Sequence, residues 1–151
     1  MGNDELIAFP PIEMDFSGLK EGSLKVMDNE AKFDEKSERY HGTKAVIASI
    51  DAELKAKLQK ASIDAYRALR VCDYGRVDLR LTETGEVYVI EVNANCYLEQ
   101  NSEFSTAAEA HGIAYPKLVT GIAELAVERW KHRNRAQKRR KKARTATAAA
   151  G

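Results

Sequence analysis

Asp78, Glu91 and Asn93 stand in two short apolar runs, Arg76 to Thr82 and Val87 to Asn93, with Arg76 two residues before the first acid. Two carboxylates and an amide oxygen are hard ligands suited to Mg²⁺, which keeps several waters and commonly shares its shell with substrate phosphates. No cysteine or histidine joins them, which argues against zinc. The competing reading is a solvated outer face on which Arg76 and Arg80 screen the acids, as is common on antiparallel sheets.

The element that must position these residues is a β-hairpin. Glu83-Thr84-Gly85-Glu86 separates the two runs, and Gly85 can supply the positive φ of a tight turn. A two-residue Thr84-Gly85 loop pairs Glu83 with Glu86, Leu79 with Ile90, Asp78 with Glu91 and Arg76 with Asn93. With a side-chain period of two, Val77, Leu79, Leu81, Tyr88, Ile90 and Val92 then form an apolar face. Arg76, Asp78, Arg80, Glu91 and Asn93 form the polar one. Like charges directly opposite destabilise a strand pair, so Asp78 against Glu91 calls for a neutralising cation.

Other elements follow from caps and periodicity. Leu6 to Phe9 reads as a strand that Pro10-Pro11 punctuates, and Ile12, Met14 and Phe16 alternate with Glu13 and Asp15 as a second, half-buried one. Residues 19 to 50 show little period, and Asp28 to Gly42 reads as a charged, solvated connection. Asp51 is an N-cap for a helix whose stripe is Leu54, Leu58, Ala61, Ala65 and Leu69, expected to pack on the apolar face of the hairpin, with Tyr66 read as core beside it. Ser102 is a plausible cap for a short helix that Gly112 ends, and His111 reads as a C-terminal capping side chain. Pro116 opens the last helix, with Leu118, Val119, Ile122, Leu125, Ala126 and Trp130 as its buried stripe.

Composition bounds the rest. With 151 residues, 44% of them hydrophobic and 31% charged, the chain suits one domain or part of a larger one. No apolar stretch approaches the ~18 residues of a membrane span, and no secretory leader is evident. Cys72 and Cys96 are read as reduced thiols of a cytoplasmic protein. The net charge of +1 is unevenly spread: nine of the 24 Lys and Arg fall between Lys131 and Arg144 with no acid, leaving 15 bases against 23 acids elsewhere. Residues 131–151 are therefore expected to form a basic tail, disordered or at best a frayed helix, after a domain at 1–130. Such a tract screens phosphate charge without sequence preference, so a basic-tailed nucleic-acid-binding module is an alternative, although the tail lacks aromatics for base stacking.

Gly75-Arg76-Val77-Asp78, a Thr-x-x-Gly turn and Ile90-Glu91-Val92-Asn93 together resemble the C-terminal metal-binding part of ATP-grasp ligases, above all the D-alanine–D-alanine ligase group. The resemblance runs from about Leu6 to Arg129. It implies an α+β fold, an antiparallel sheet with packed helices, forming part of an ATP-grasp C-terminal subdomain. It implies ATP-driven amide formation through an acyl phosphate, with a small carboxylate and an amine, amino acids included, as substrates. Asp78, Glu91 and Asn93 would hold Mg²⁺ or Mn²⁺, and Arg76 would stabilise the acyl phosphate and tetrahedral oxygens.

Glu30-Ala31-Lys32-Phe33 matches the loop that folds over the nucleotide, with Lys32 touching phosphates; without the resemblance Lys32 is simply a solvated charge. Ser102 matches the serine that holds the acceptor carboxylate. Tyr97 stands where these ligases carry a glycine, which points to an acceptor other than D-alanine. The family's N-terminal domain and its central portion, with the adenine-contacting hinge and Gly-rich loop, would precede Leu6. The chain therefore reads as a C-terminal fragment, expected not to turn over alone. A noncatalytic fragment serving as an interaction domain and a homodimer are both left open.

Overall fold

In the computed structural model the backbone is described for residues 1–149 and side chains for residues 1–138. Among the described residues there are five helices and four strands, the strands forming two separate two-stranded antiparallel sheets with packed helices. The first sheet pairs β1 (Ile12–Asp15) with β2 (Lys44–Ile47), Ile12 opposite Ile47. Leu6 to Phe9 forms no strand. Pro10 and Pro11 bring no backbone N–H, and the segment turns back so that the Ile7 N–H donates to the Met1 carbonyl at 2.8 Å.

The charged connection folds into two short helices, α1 (Asn29–Phe33) and α2 (Glu38–Gly42), set by side-chain caps. Asp28 accepts from the Ala31 N–H at 2.9 Å and Ser37 from the Tyr40 N–H at 3.0 Å. Arg39 binds the Asp28 carboxylate at 2.9 Å and donates to the Leu24 and Val26 carbonyls. A five-residue helix is marginal by propensity, so the caps and this arginine stabilise what periodicity cannot reveal. Asp28 and Ser37, each followed two residues or one residue later by a glutamate, are the start signals that reading for periodicity passes over.

Helix α3 (Ala52–Ala68) begins at Asp51, whose carboxylate accepts from the Leu54 N–H at 2.8 Å. It packs on the second sheet, as the stripe requires. Lys57 reaches from it to the Gly85 carbonyl, and Tyr66 is buried with its hydroxyl donating to the Gly2 carbonyl. Leu69, counted in the stripe, is instead the exposed C-cap.

Helices α4 (Glu103–Ala110) and α5 (Tyr115–Ala149) pack together over the most buried cluster, Cys96, Phe104, Ala108 and Leu118. The Phe9 and Tyr74 rings meet Phe104 at centroid distances of 5.3 and 5.7 Å. The core therefore lies beneath the loop after the hairpin and not on the hairpin's apolar face. His111 is the C-cap residue of α4, its ring 5.4 Å from Phe9.

On α5, Leu118 is fully buried and Ile122, Leu125 and Ala126 are partly buried, while Val119 and Trp130 of the expected stripe face outward. Arg129 extends the inner face instead, binding Asp73 through Nε at 3.0 Å and Nη2 at 2.6 Å. Asn3 donates to the same carboxylate at 3.0 Å, so one buried acid ties the N-terminal segment, the loop before the second sheet and α5. The α5 backbone is helical through the basic segment to Ala149; Ala150 and Gly151 of that segment lie outside the described residues.

Candidate functional site

The second sheet, β3 (Arg76–Leu81) against β4 (Val87–Asn93), brings four of the expected site residues onto one face. Arg76 is opposite Asn93 and Asp78 opposite Glu91, as the pattern requires. The route to that register differs from the expected one. The loop holds three residues, not two: Thr82 pairs with Glu86 through a 3.0 Å N–H to carbonyl bond, and the Gly85 N–H returns to the Thr82 carbonyl at 3.0 Å with φ +79°. The turn is closed by a glycine in the left-handed region, the usual arrangement of a three-residue hairpin loop.

The longer loop shifts the distal register by one, so that Leu79 faces Val89, Arg80 faces Tyr88 and Leu81 faces Val87. An irregularity between Asp78 and Leu79 leaves Ile90 as the extra residue of β4 and restores the register at Asp78 and Glu91. Neither Tyr88 nor Ile90 therefore belongs to the apolar face as expected. Tyr88 shares its position with Arg80, and Ile90 is 64% exposed.

Gly75 allows the close approach that starts β3. A Cβ there would meet the Asn93 carbonyl oxygen at 3.1 Å, Val71 Cγ1 at 3.2 Å and Tyr66 Cε2 at 3.4 Å. The packing of α3 thus reaches the site through Tyr66.

On the polar face Arg76 makes a two-point contact with Asp78, Nε to Oδ1 at 2.7 Å and Nη2 to Oδ2 at 3.0 Å. Its Nη1 lies 3.7 Å from Oε2 of Glu103, the first residue of α4. Burial alone would lower the guanidinium's pKa, but hydrogen bonding to Asp78 and the charges of Asp78 and Glu103 outweigh it and hold the group above its ordinary value. Arg80 does not screen the acids: it donates to the Lys25 carbonyl at 3.2 Å and ties the segment before α1 to the hairpin. Among the described residues Glu91 makes no ion pair, and Asn93 Oδ1 accepts the Asn95 N–H at 2.9 Å, leaving acceptor capacity.

Ser102 occupies the N-cap position of α4 without making the capping bond. Its hydroxyl donates to the Tyr97 carbonyl at 3.1 Å and meets the Ser105 hydroxyl at 3.2 Å. The Tyr97 side chain is exposed. Cys96 is a buried free thiol whose pKa burial pushes up, while Cys72 is exposed and also free. Lys32, exposed on the last turn of α1, makes no ion pair among the described residues and is not brought into contact with the other four. Glu103 escaped the sequence reading because 27 positions and a loop separate it from Arg76.

The donor set fits a hard cation in chemistry: two facing carboxylates, one without a counter-charge, and an amide oxygen. Among the described residues no group of three His, Cys, Asp or Glu side chains that could hold a metal ion is assembled. No helix among them is long and apolar enough to cross a membrane.

The fold is that of part of the ATP-grasp ligases of the D-alanine–D-alanine ligase type. Among solved structures, the D-alanine–D-alanine ligase of Bacillus anthracis superposes with a TM-score of 0.61 and 31% identity, over 83% of this chain and 37% of that one. The same ligase complexed with ATP gives a TM-score of 0.57 and 35% identity, over 62% and 32%. A D-alanine–D-alanine ligase of Baumannia cicadellinicola is 34% identical over 110 residues, 72% of this chain and 29% of the relative. Residues 1–124 match the family described as D-ala D-ala ligase C-terminus, and the chain belongs to that family. It spans about a third of the length of these relatives.

Proposed function

We propose that this chain supplies the metal- and phosphate-binding part of an ATP-dependent carboxylate–amine ligase of the D-alanine–D-alanine ligase type, which forms an amide through an acyl phosphate. The observation that carries the reading is the facing of Asp78 and Glu91 on a polar strand face that also holds Arg76 and Asn93, in a chain of this family. A Bacillus anthracis relative complexed with ATP supports the nucleotide.

Asp78, Glu91 and Asn93 would hold Mg²⁺ or Mn²⁺. The bound cation supplies neutralisation of the charge on phosphoryl oxygens. Arg76 presents a planar fork of donors to the acyl phosphate and to the tetrahedral oxygens, where charge grows as the amine attacks. Lys32, exposed on the last turn of α1, would contact the nucleotide phosphates. The Ser102 hydroxyl would turn from the Tyr97 carbonyl to the carboxylate of the acceptor, and Tyr97, where these ligases carry a glycine, would shrink or redirect the acceptor site toward a substrate other than D-alanine. Residues 1–130 form the ATP-grasp portion and 131–151 a basic tail, in a cytoplasmic protein.

Binding of a fluorescent ADP analogue in Mg²⁺ tests the reading. The wild-type chain is expected to bind weakly, and Lys32→Met to weaken binding several-fold further. Equal binding by wild type and Lys32→Met would remove Lys32 from the site. Because the chain spans about a third of its relatives, ligase turnover by it alone is not expected; steady ADP release by the purified chain would overturn that.

A further inference from the structure

The Arg76 fork is shared between two acids from different elements. Asp78 lies on the same strand face two residues away and takes Nε and Nη2; Glu103 opens α4 and faces Nη1. All three side chains are about one-third exposed, 32% for Arg76, 38% for Asp78 and 34% for Glu103, so the guanidinium is partly shielded where hairpin and helix meet. Glu91, across from Asp78, has no such partner among the described residues. A carboxylate whose two oxygens both accept from one guanidinium has few lone pairs left for a cation, so Arg76 competes with any metal for Asp78.

We infer that Glu103 is a positioning residue for Arg76: a second carboxylate that takes the guanidinium when Asp78 turns to a cation, keeping Arg76 on the site face. The inference rests on the proposed metal site and adds to it an internal exchange, in which one arginine passes between two acids. Glu103 suits the task by geometry. At 3.7 Å its contact is looser than those to Asp78, so it does not win the guanidinium at rest, and a side-chain rotation closes the gap. Its place at the start of α4 is one where the helix dipole favours a negative charge. The resting state is thereby a closed one: Asp78 is neutralised by Arg76, the facing acids repel each other less, and the arginine is not lost to solvent when the cation arrives.

Mn²⁺ binding to the chain in the presence of ADP, followed by calorimetry with circular dichroism to verify folding, tests this in a double-mutant cycle. Glu103→Gln is expected to weaken Mn²⁺ binding about two- to fivefold, the scale of a surface ion pair. Arg76→Lys keeps the charge but loses the fork, and is expected to tighten Mn²⁺ binding by a similar factor. In the Arg76→Lys background the effect of Glu103→Gln should disappear, since Glu103 acts through the arginine. A Glu103→Gln effect of equal size in both backgrounds would mean plain charge–charge attraction and overturn the inference. So would affinity that ignores Glu103→Gln while Asp78→Asn abolishes binding. No Mn²⁺ binding by the wild-type chain would instead bring down the metal-site reading, and the inference with it.

Discussion

Asp78 and Glu91 face each other because two irregularities of the same hairpin cancel: the third loop residue shifts the register by one, and the bulge at Ile90 shifts it back. Two carboxylates at one register position repel, and only Asp78 has a counter-charge, from Arg76. In the absence of divalent cations Glu91→Gln should therefore stabilise the chain by about 0.2–1 kcal/mol, the scale of a cross-strand pair. Thermal melts in EDTA would register this as a higher Tm for the variant. With Mg²⁺ and ADP present the order should reverse. A variant less stable in EDTA would mean that the facing acids carry no repulsion.

Gly75 couples the core to the site. Gly75→Ala places a methyl 3.1 Å from the Asn93 carbonyl oxygen and 3.4 Å from the Tyr66 ring, so β4 or α3 must move. A loss of about 1–3 kcal/mol is expected, the usual cost of overpacking. Urea denaturation measures it; an unchanged midpoint would show that the strand pair yields freely at this end.

The Asp73 carboxyl is held below the ordinary carboxylate range by hydrogen bonds from Arg129, then Asn3, against the opposing effect of burial. A carboxyl with a lowered folded pKa stabilises the fold above its unfolded value, and that contribution disappears as pH falls through the folded value. Asp73→Asn should thus lower Tm at pH 7 by about 2–8 °C, the shift that ~1 kcal/mol produces in domains of this size range. The difference should begin to shrink as pH falls below about 4, the unfolded carboxyl range, and vanish only below the folded value. Melts across pH 3 to 7 check the sign; a difference that grows toward acid would contradict it.

How far the site was legible from sequence differs residue by residue. Arg76, Asp78, Glu91 and Asn93 could be set on one face because side-chain alternation and a turn glycine constrain a hairpin strongly. The distal half could not, because a two-residue and a three-residue loop fit Glu83-Thr84-Gly85-Glu86 equally well and Ile90 is as acceptable in a bulge as in a ladder. Helix α3 was readable from the Asp51 cap and its spacing, whereas α1 and α2 depend on Arg39 reaching back to Asp28 and the Leu24 and Val26 carbonyls. The same limit hid Glu103 and the Asp73–Arg129 tie, since both join side chains far apart in the chain that only packing brings together. Ser102 lies where a cap was expected, yet a nearby carbonyl, that of Tyr97, competes for its hydroxyl.

Calorimetric titration of the chain with Mg²⁺ and Mn²⁺, with and without ADP, beside the Asp78→Asn/Glu91→Gln double variant decides whether the facing acids hold a metal. Binding should strengthen when ADP is present and vanish in the double variant while its fold persists by circular dichroism. Binding of equal strength in the double variant would contradict a metal site there, and would leave Asp78 and Glu91 as no more than a solvated pair on the outer face of a hairpin.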